Sequence, residues 1–219
     1  PEEVKNPLPI EIATLSRAQS YSGIDLLSSV EDGYKNKVSL TYRTLIDKEV
    51  YDTNNKVKED SEELILPIRN GKEVISRVAL PVVWSLKERM GYSEDLEMRY
   101  SYSRGVFNRT VGGFDGFHLM KKHDIANNII DVIETRNIGK YRGQRISSKR
   151  FLGEGLVSES NFEYEVHDII PNSLSYSLIS KEETIAYDYI SDDVITYSSK
   201  IFSEYDSYGN AGEIENEVV

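Results

Sequence analysis

Met98-Arg99-Tyr100-Ser101-Tyr102-Ser103 decides the fold, because its apolar and polar residues alternate strictly. Successive side chains of a β-strand point to opposite faces of a sheet, so the stretch predicts a strand with one apolar and one polar face. An α-helix would instead require apolar residues three and four positions apart, and no long window of this chain supplies them. The stretch is therefore read as strand.

The same alternation returns along the chain, separated by residues that favour turns. Alternating runs occur at Val38–Tyr42, Phe162–Val166, Leu174–Leu178 and Ile185–Tyr189. Turn-forming residues fall at Asp32–Gly33, Asn70–Gly71, Gly112–Gly113, Gly153–Gly155, Pro171–Asn172 and Tyr208–Asn210. These residues either tolerate a positive φ or initiate turns. We predict an all-β fold of twisted antiparallel strands and hairpins.

Three stretches need separate interpretation. Asp47–Glu63 is almost wholly polar and predicts a long exposed loop. Leu80–Trp84 is apolar but contains Pro81, which cannot donate to a ladder, so this run predicts an edge position or the start of a strand. Ile125–Arg136 could form a short helix, but its β-branched residues favour a strand.

The length of 219 residues allows one large β domain or two small ones. We divide the chain into an N-terminal β segment, residues 1–124, and a C-terminal β segment, residues 125–219. The chain begins at Pro1 without an initiator Met and ends in the acidic stretch Gly212–Val219, which indicates a fragment or a processed piece. No short repeat of fixed period is visible.

Composition excludes several classes of protein. The 26 basic and 37 acidic residues give a formal charge of −11, whereas binding to nucleic acid or an anionic membrane needs a basic face. The densest basic cluster, Lys140–Arg150, is read as the solvated face of a strand. The absence of Cys excludes disulfides, thiolate metal sites and a cysteine nucleophile. No stretch approaches the roughly 20 apolar residues of a membrane helix, and no signal peptide is visible.

Residues that could carry chemistry are present but poorly arranged. His118 and His123 lie five positions apart, so they would point to opposite faces of a strand, and His167 is distant; zinc needs three or four converging ligands. No Gly-x-Ser-x-Gly elbow and no phosphate-binding glycine loop occurs. Glu163 and Glu165 resemble the acidic pair of ADP-ribosyltransferases, but the Ser-Thr-Ser strand of those enzymes is missing. We predict no catalytic residue, no metal site and no cofactor.

Four segments, in order, resemble one family. They are Asp25–Gly33 with Val38–Tyr42, Leu80–Val83, Arg99–Asn108 with Gly113–Phe117, and Glu204–Asn210. They are similar to motifs of the B component of bacterial Tc insecticidal toxin complexes and of the related SpvB- and Rhs-type proteins. Departures from the family's pattern are His118 in place of Gly, Phe107-Asn108 in place of Tyr-Asp, and Ala211 in place of Val.

The resemblance implies the middle region of a B component, whose antiparallel strands form a hollow shell around a cytotoxic effector. Residues 125–219 would lead toward Rhs-type repeats. Implied partners are a β-propeller and the Rhs repeats of the same shell, and a pore-forming A component reached through the propeller. The resemblance implies a secreted bacterial toxin, and no catalytic residue of the family carries over to this chain.

Within that interpretation, we expect a set of structural residues at packing positions and turns, with a tight bend or bulge where glycine and phenylalanine alternate. The set comprises Gly33, Trp84, Tyr100, Tyr102, Gly113, Phe114, Gly116, Phe117, Tyr208, Gly209 and Asn210. At Tyr208–Asn210 we expect a turn with Gly or Asn at positive φ.

Two other functions stay open from the sequence. A stand-alone β-sandwich adhesin or binding module would show a self-contained core and a closed sheet, whereas a shell fragment would leave long unpaired edges. An ADP-ribosyltransferase is the third possibility. Labelled NAD and a protein acceptor would reveal it directly.

Overall fold

The computed structural model describes residues 26–52, 72–74, 79–89, 96–108, 113–137, 143–170, 174–206 and 209–219. Every strand within these ranges connects to one sheet. The prediction of an all-β fold is confirmed. No helix in the described ranges has the length and hydrophobicity that a membrane span requires.

The strands range from two to sixteen residues. They are β1 (Ser29–Glu31), β2 (Lys37–Thr44), β3 (Tyr51–Asp52), β4 (Lys72–Val74), β5 (Pro81–Arg89), β6 (Leu96–Asn108), β7 (Gly113–Asp124), β8 (Ile129–Arg136), β9 (Gln144–Leu152), β10 (Gly155–Ile170), β11 (Leu174–Tyr187), β12 (Val194–Tyr205) and β13 (Ala211–Val218).

The sheet is an open antiparallel meander. Eleven described strands follow the order β1-β2-β5-β6-β7-β8-β9-β10-β11-β12-β13, and each is antiparallel to its neighbours. Short β3 and β4 lie off this path and both pair with β6, β3 in parallel and β4 in antiparallel orientation. The described strands do not close into a barrel, and β1 and β13 lie at the two ends of their order.

Both faces of the sheet remain partly accessible. Every residue of the central strand β8 is half-buried, with no alternation between buried and exposed positions. In a β-sandwich, alternate residues would be buried against a second sheet. The described strands form a single layer, and this differs from the closed, self-contained core expected of a stand-alone sandwich.

A small core lies beside the first half of the sheet. The buried hydrophobic residues in the described ranges are Leu45, Val50, Tyr51 and Val106. The prediction of an exposed loop over Asp47–Glu63 is therefore wrong for Val50 and Tyr51; residues 53–63 lie outside the described ranges. The prediction failed because the neighbouring residues in the sequence are polar. Pairing of β3 with β6 buries Val50 and Tyr51.

Three local predictions concern where individual strands begin and end. Pro81 begins β5 opposite Thr44, which confirms the strand start. Residues 125–128 form a turn and Ile129–Arg136 is β8, so the strand prediction is confirmed there. The alternation through Tyr189 is wrong at its end, because Asp188 Oδ1 accepts bonds from the Ile190 and Ser191 amides and turns the chain.

The division between residues 124 and 125 falls at the end of β7, where the sheet continues into β8, and it remains a prediction. Expected turns at Asn70–Gly71 and Pro171–Asn172 lie outside the described ranges, as does Gly112.

Candidate interaction surface

The sheet separates into hairpins at one end, which we call the splayed end; it is the end at which β6 finishes and β7 begins. The β5–β6 ladder stops at Ser85 and Arg99, although both strands continue beyond that pair. The β9–β10 ladder stops in the same way at Ser147 and Asn161. Gaps therefore open between strands that are paired at the opposite end.

Tyrosine hydroxyl groups bridge these gaps. Tyr102 in β6 donates a 2.8 Å hydrogen bond to the Val83 carbonyl of β5. Tyr164 in β10 donates a 2.9 Å hydrogen bond to the Arg145 carbonyl of β9. Each bond joins two strands beyond the end of their backbone ladder. A hydrogen bond from a side chain therefore connects the strands where backbone hydrogen bonds no longer do.

The other gaps are bridged by similar contacts. Between β1 and β2, Tyr42 donates to the Leu27 carbonyl over 2.9 Å. Between β11 and β12, whose ladder stops at Lys181 and Ile201, Tyr205 donates to the Ile179 carbonyl. Between β7 and β8, the bridges are His118 Nδ1 to the Thr135 carbonyl, 2.8 Å, and Asn137 Nδ2 to the Phe117 carbonyl, 2.7 Å.

Three of these bridges are related by an internal repeat. Tyr42, Tyr102 and Tyr164 are each the third residue after the last ladder pair on their strand. Each acceptor carbonyl lies two residues before the Ser that ends the partner's ladder: Leu27 before Ser29, Val83 before Ser85 and Arg145 before Ser147. The sequence analysis did not predict this repeat. Its signal in the sequence is a Tyr three residues after the last ladder pair, and the residue in that pair differs between the strands: Ser39, Arg99 and Asn161.

Burial raises the pKa of these hydroxyl groups above the ordinary value for a phenol. Desolvation, with a smaller contribution from Tyr100, raises the pKa of Tyr102 to about 12. Desolvation also raises the pKa of Tyr42, Tyr164 and Tyr205. A phenol with a raised pKa carries its proton throughout the ordinary pH range, so each hydroxyl remains a donor.

The β5–β6 gap contains a cluster of aromatic rings. The Phe117 ring centroid lies 4.5 Å from that of Tyr102, 4.9 Å from Phe114 and 6.2 Å from Tyr51. The Tyr51 hydroxyl accepts a 3.0 Å bond from the Gly105 amide. A Cβ on Gly105 would lie 3.2 Å from Phe114 and 3.3 Å from Phe117, so a larger residue there would require the two rings to shift by a few tenths of an ångström.

A bulge shapes the strand that carries two of these rings. Val106 pairs with Gly116 and Phe107 pairs with Phe114, so Asp115 is an extra residue on β7. Gly116 has φ of +110°, a value that other residues rarely adopt. The sequence predicted a bend or bulge at this position, and the register contains one. Gly113 begins β7, and a Cβ added to it would meet no atom within 4 Å.

Two guanidinium groups lie over the Trp84 ring. Arg43 Cζ is 3.8 Å from the ring centroid and Arg99 Cζ is 5.4 Å from it. Arg43 also pairs with Asp47 at 2.8 Å and with Glu49 at 2.6 Å, and these bonds raise the pKa of Arg43. Through Arg43, these contacts connect the turn before β3 with β2 and with Trp84 in β5.

The remaining expected residues occupy pairs and turns. Half-buried Tyr100 pairs with Lys122. Gly33 lies in the β1–β2 turn, where the residue at positive φ is Lys35, at 68°. Gly209 has φ of +85° in the β12–β13 turn, and the Asn210 amide donates to Asp206 Oδ1. Tyr208 lies outside the described residues.

The histidines do not converge. His118 is buried against the Thr135 carbonyl, whereas His123 Nε2 lies 3.3 Å from Asn128 Oδ1. His167 lies beside Glu165, at 3.9 Å, and the Tyr205 ring. Within the described ranges, no three His, Asp or Glu side chains form a group that could hold a metal ion.

A cavity of about 230 Å³ lies in the β9–β10 gap. Its lining combines apolar, aromatic and charged side chains from three strands: Arg136, Gln144, Ile146, Phe162, Glu163 and Tyr164. The Arg145 guanidinium lies 5.8 Å from the Phe162 ring centroid. Of the acidic pair noted in the sequence, only Glu163 lines this cavity. The cavity is an opening in the sheet at the point where β9 and β10 separate.

The described strands form a single-layer antiparallel meander, and comparison with solved structures finds a similar fold in chains of toxin complexes. It is similar to chains in the crystal structure of TcdB2-TccC3, with a TM-score of 0.57. It is also similar to chains in TcdB2-TccC3-Cdc42 and in the Photorhabdus luminescens Tc holotoxin pore, with TM-scores of 0.60. Identity is 12% in each case, and each match covers 85% of this chain.

The chain spans only 11–12% of the length of those toxin chains. Its sequence matches no protein family and no curated protein. The chain therefore shares its fold with a segment of Tc toxin chains.

Proposed function

We propose that the chain is a non-enzymatic wall segment of a toxin-delivery shell, equivalent to the middle region of a Tc B component. The observation that carries the proposal is the single open sheet, in which the central strand β8 is half-buried along its whole length. A wall separates two compartments and needs two accessible faces. It does not need converging reactive groups.

The edges support the same role. β13 pairs only with β12 within the described residues, and its residues from Gly212 onward are exposed. An unpaired edge can continue into another strand, while acidic side chains such as Glu213, Glu215 and Glu217 discourage non-specific pairing. The likeness to segments of Tc toxin chains supports the shell assignment at the level of fold.

In this role, the segment lies between a β-propeller and Rhs-type repeats of a secreted bacterial toxin and helps to enclose a cytotoxic effector. Its partners are those neighbouring parts of the shell, with a pore-forming A component reached through the propeller. It inserts into no membrane and binds no nucleic acid. The order of the four family-like segments and the charge of −11 support these assignments.

Labelling of the two faces tests the wall directly. The chain has no Cys, and adjacent residues Lys200 and Ile201 in β12 are both exposed on opposite faces. In the isolated chain, Lys200→Cys and Ile201→Cys should react with a polyethylene-glycol maleimide at similar rates. In the assembled shell, only the cysteine on the outer face should react. Equal labelling of both in the assembly would contradict the proposal.

Absence of catalysis needs its own experiment, because Glu163 and Glu165 resemble an ADP-ribosyltransferase pair. The chain should be incubated with labelled NAD and a protein acceptor, beside a Glu163→Gln/Glu165→Gln variant. We expect transfer no greater than the blank for both. Transfer that the double variant abolishes would replace the wall with an enzyme.

A further inference from the structure

Two gaps at the splayed end have the same construction but different contents. Tyr102 bridges the β5–β6 gap and Tyr164 bridges the β9–β10 gap, each three residues beyond the last ladder pair. A buried Ser ends the ladder on the partner strand in both: Ser85 is 1% exposed and Ser147 is 5% exposed. The two sites are thus equivalent positions of a structural repeat.

Beyond the β5–β6 ladder, two short strands pair with β6: β3 beside Tyr102 and β4 at Val106–Asn108. β3 enters the gap parallel to β6, and the Tyr102 amide donates a 2.8 Å bond to the Val50 carbonyl. Tyr51 fills the space beside Phe117 and is 1% exposed. The β5–β6 gap therefore shows which kind of segment can bind between two separated strands. It is an extended segment with one aromatic side chain directed into the opening.

The β9–β10 gap holds the cavity lined by Ile146, Phe162 and Tyr164, with Arg136 and Glu163 also at its wall. At about 230 Å³, the cavity has room for an aromatic side chain. We propose that this gap binds an extended segment of a separate polypeptide, which lies parallel to β10 and places an aromatic side chain between Ile146 and Phe162. Strand addition of this kind combines backbone hydrogen bonds with a side-chain pocket.

The proposal does not rest on the shell function, because a free-standing module with the same gap would bind such a segment equally well. Binding is tested on the isolated 219-residue chain with a synthetic peptide of residues 47–52, the natural occupant of the equivalent gap. The photoreactive amino acid benzoylphenylalanine replaces Tyr51 in the peptide. The control peptide carries Val50→Pro, which disturbs the extended backbone pairing.

We expect photo-crosslinks at residues 144–146 and 162–164, several-fold above those of the proline peptide. Ile146→Trp fills the cavity and should reduce these crosslinks to the proline level, while Ile195→Trp, at a site 62% exposed in β12, should leave them unchanged. Circular dichroism verifies folding of both variants. Hydrogen exchange of the unaltered chain gives a second measurement. When peptide is added, slower exchange is expected at the Tyr164 amide, because Tyr164 is the equivalent of Tyr102, whose amide donates to the Val50 carbonyl of the occupying segment.

Three results would overturn the proposal. Crosslinks no greater than those of the proline peptide would show no binding, and crosslinks confined to Tyr102 and Phe117 would mean that the peptide only replaces β3. Dimerisation that Ile146→Trp abolishes would assign the gap to a second copy of the chain.

Discussion

Tyr102 and Tyr164 occupy equivalent positions in two hairpins of the same sheet. Each hydroxyl crosses a gap and donates to a carbonyl two residues before a buried Ser, Val83 for Tyr102 and Arg145 for Tyr164. The richness in Tyr, 15 residues in 219, thereby acquires a structural role. A phenol is long enough to span strands that have separated, and its hydroxyl replaces a missing backbone donor.

The bridge at Tyr164 predicts a measurable stability effect. Tyr164→Phe keeps the ring and removes the donor to Arg145, so we expect a loss of about 0.5–1.5 kcal/mol in the free energy of unfolding. Urea denaturation followed by circular dichroism measures it. Tyr34→Phe is the matched control, because Tyr34 is 84% exposed, and its effect should stay within about 0.5 kcal/mol. Equal effects of the two changes would mean that the bridge does not stabilise the sheet.

Tyr51 should be more sensitive than Tyr164. Tyr51→Phe leaves the Gly105 amide without its hydroxyl acceptor in a buried site, which costs about 1–3 kcal/mol. Hydrogen exchange should report faster exchange at Gly105 together with the loss in denaturation free energy. If exchange at Gly105 does not change, the hydrogen bond seen between β3 and β6 does not contribute.

The bulge in β7 provides a matched pair of glycines. Gly116→Ala forces a side chain into φ of +110° and should destabilise the chain by about 1–3 kcal/mol. Gly113→Ala on the same strand meets no atom within 4 Å and should be nearly neutral. Thermal and urea unfolding of both variants measure the difference. Similar losses at the two positions would mean that the conformation of Gly116 is not the cause.

His118 predicts a pH dependence. Burial lowers its pKa below the ordinary value of 6.5, an effect opposed by the bond to the Thr135 carbonyl and by Glu134. The unfolded chain then binds more protons as the pH falls below 6.5, so stability present above this pH is progressively lost toward the folded-state pKa. Urea unfolding at about pH 7.5 and about pH 5 measures the loss.

Carboxylates also gain protons as the pH falls, so a control must distinguish their effect on stability from that of His118. His118→Asn keeps a donor for Thr135 and removes the titrating group, so it should flatten the dependence between these two pH values. Tyr34→Phe, at a position that is 84% exposed, should leave the dependence as it is. The opposite ranking of the two variants would show that His118 is not responsible.

Much of the fold follows from local rules. Alternation at Met98–Ser103 predicts a strand because side chains switch faces at every residue, and β-branched residues predict β8. The alternation of glycine and phenylalanine before His118 predicts the bulge, because only glycine readily adopts the φ found at Gly116. Each of these conclusions needs only the residue and its immediate neighbours.

Only the tertiary structure decided where strands separate and what crosses the gaps. Tyr164 finds the Arg145 carbonyl 19 residues away, and every residue offers such a carbonyl, so no side-chain pattern marks the acceptor. Val50 and Tyr51 are buried because β6 has an open side at that level, which their polar neighbours could not reveal. The sequence determined by itself that this chain is a sheet, since alternation is local. The gaps, their bridges and the cavity depend on contacts between distant strands.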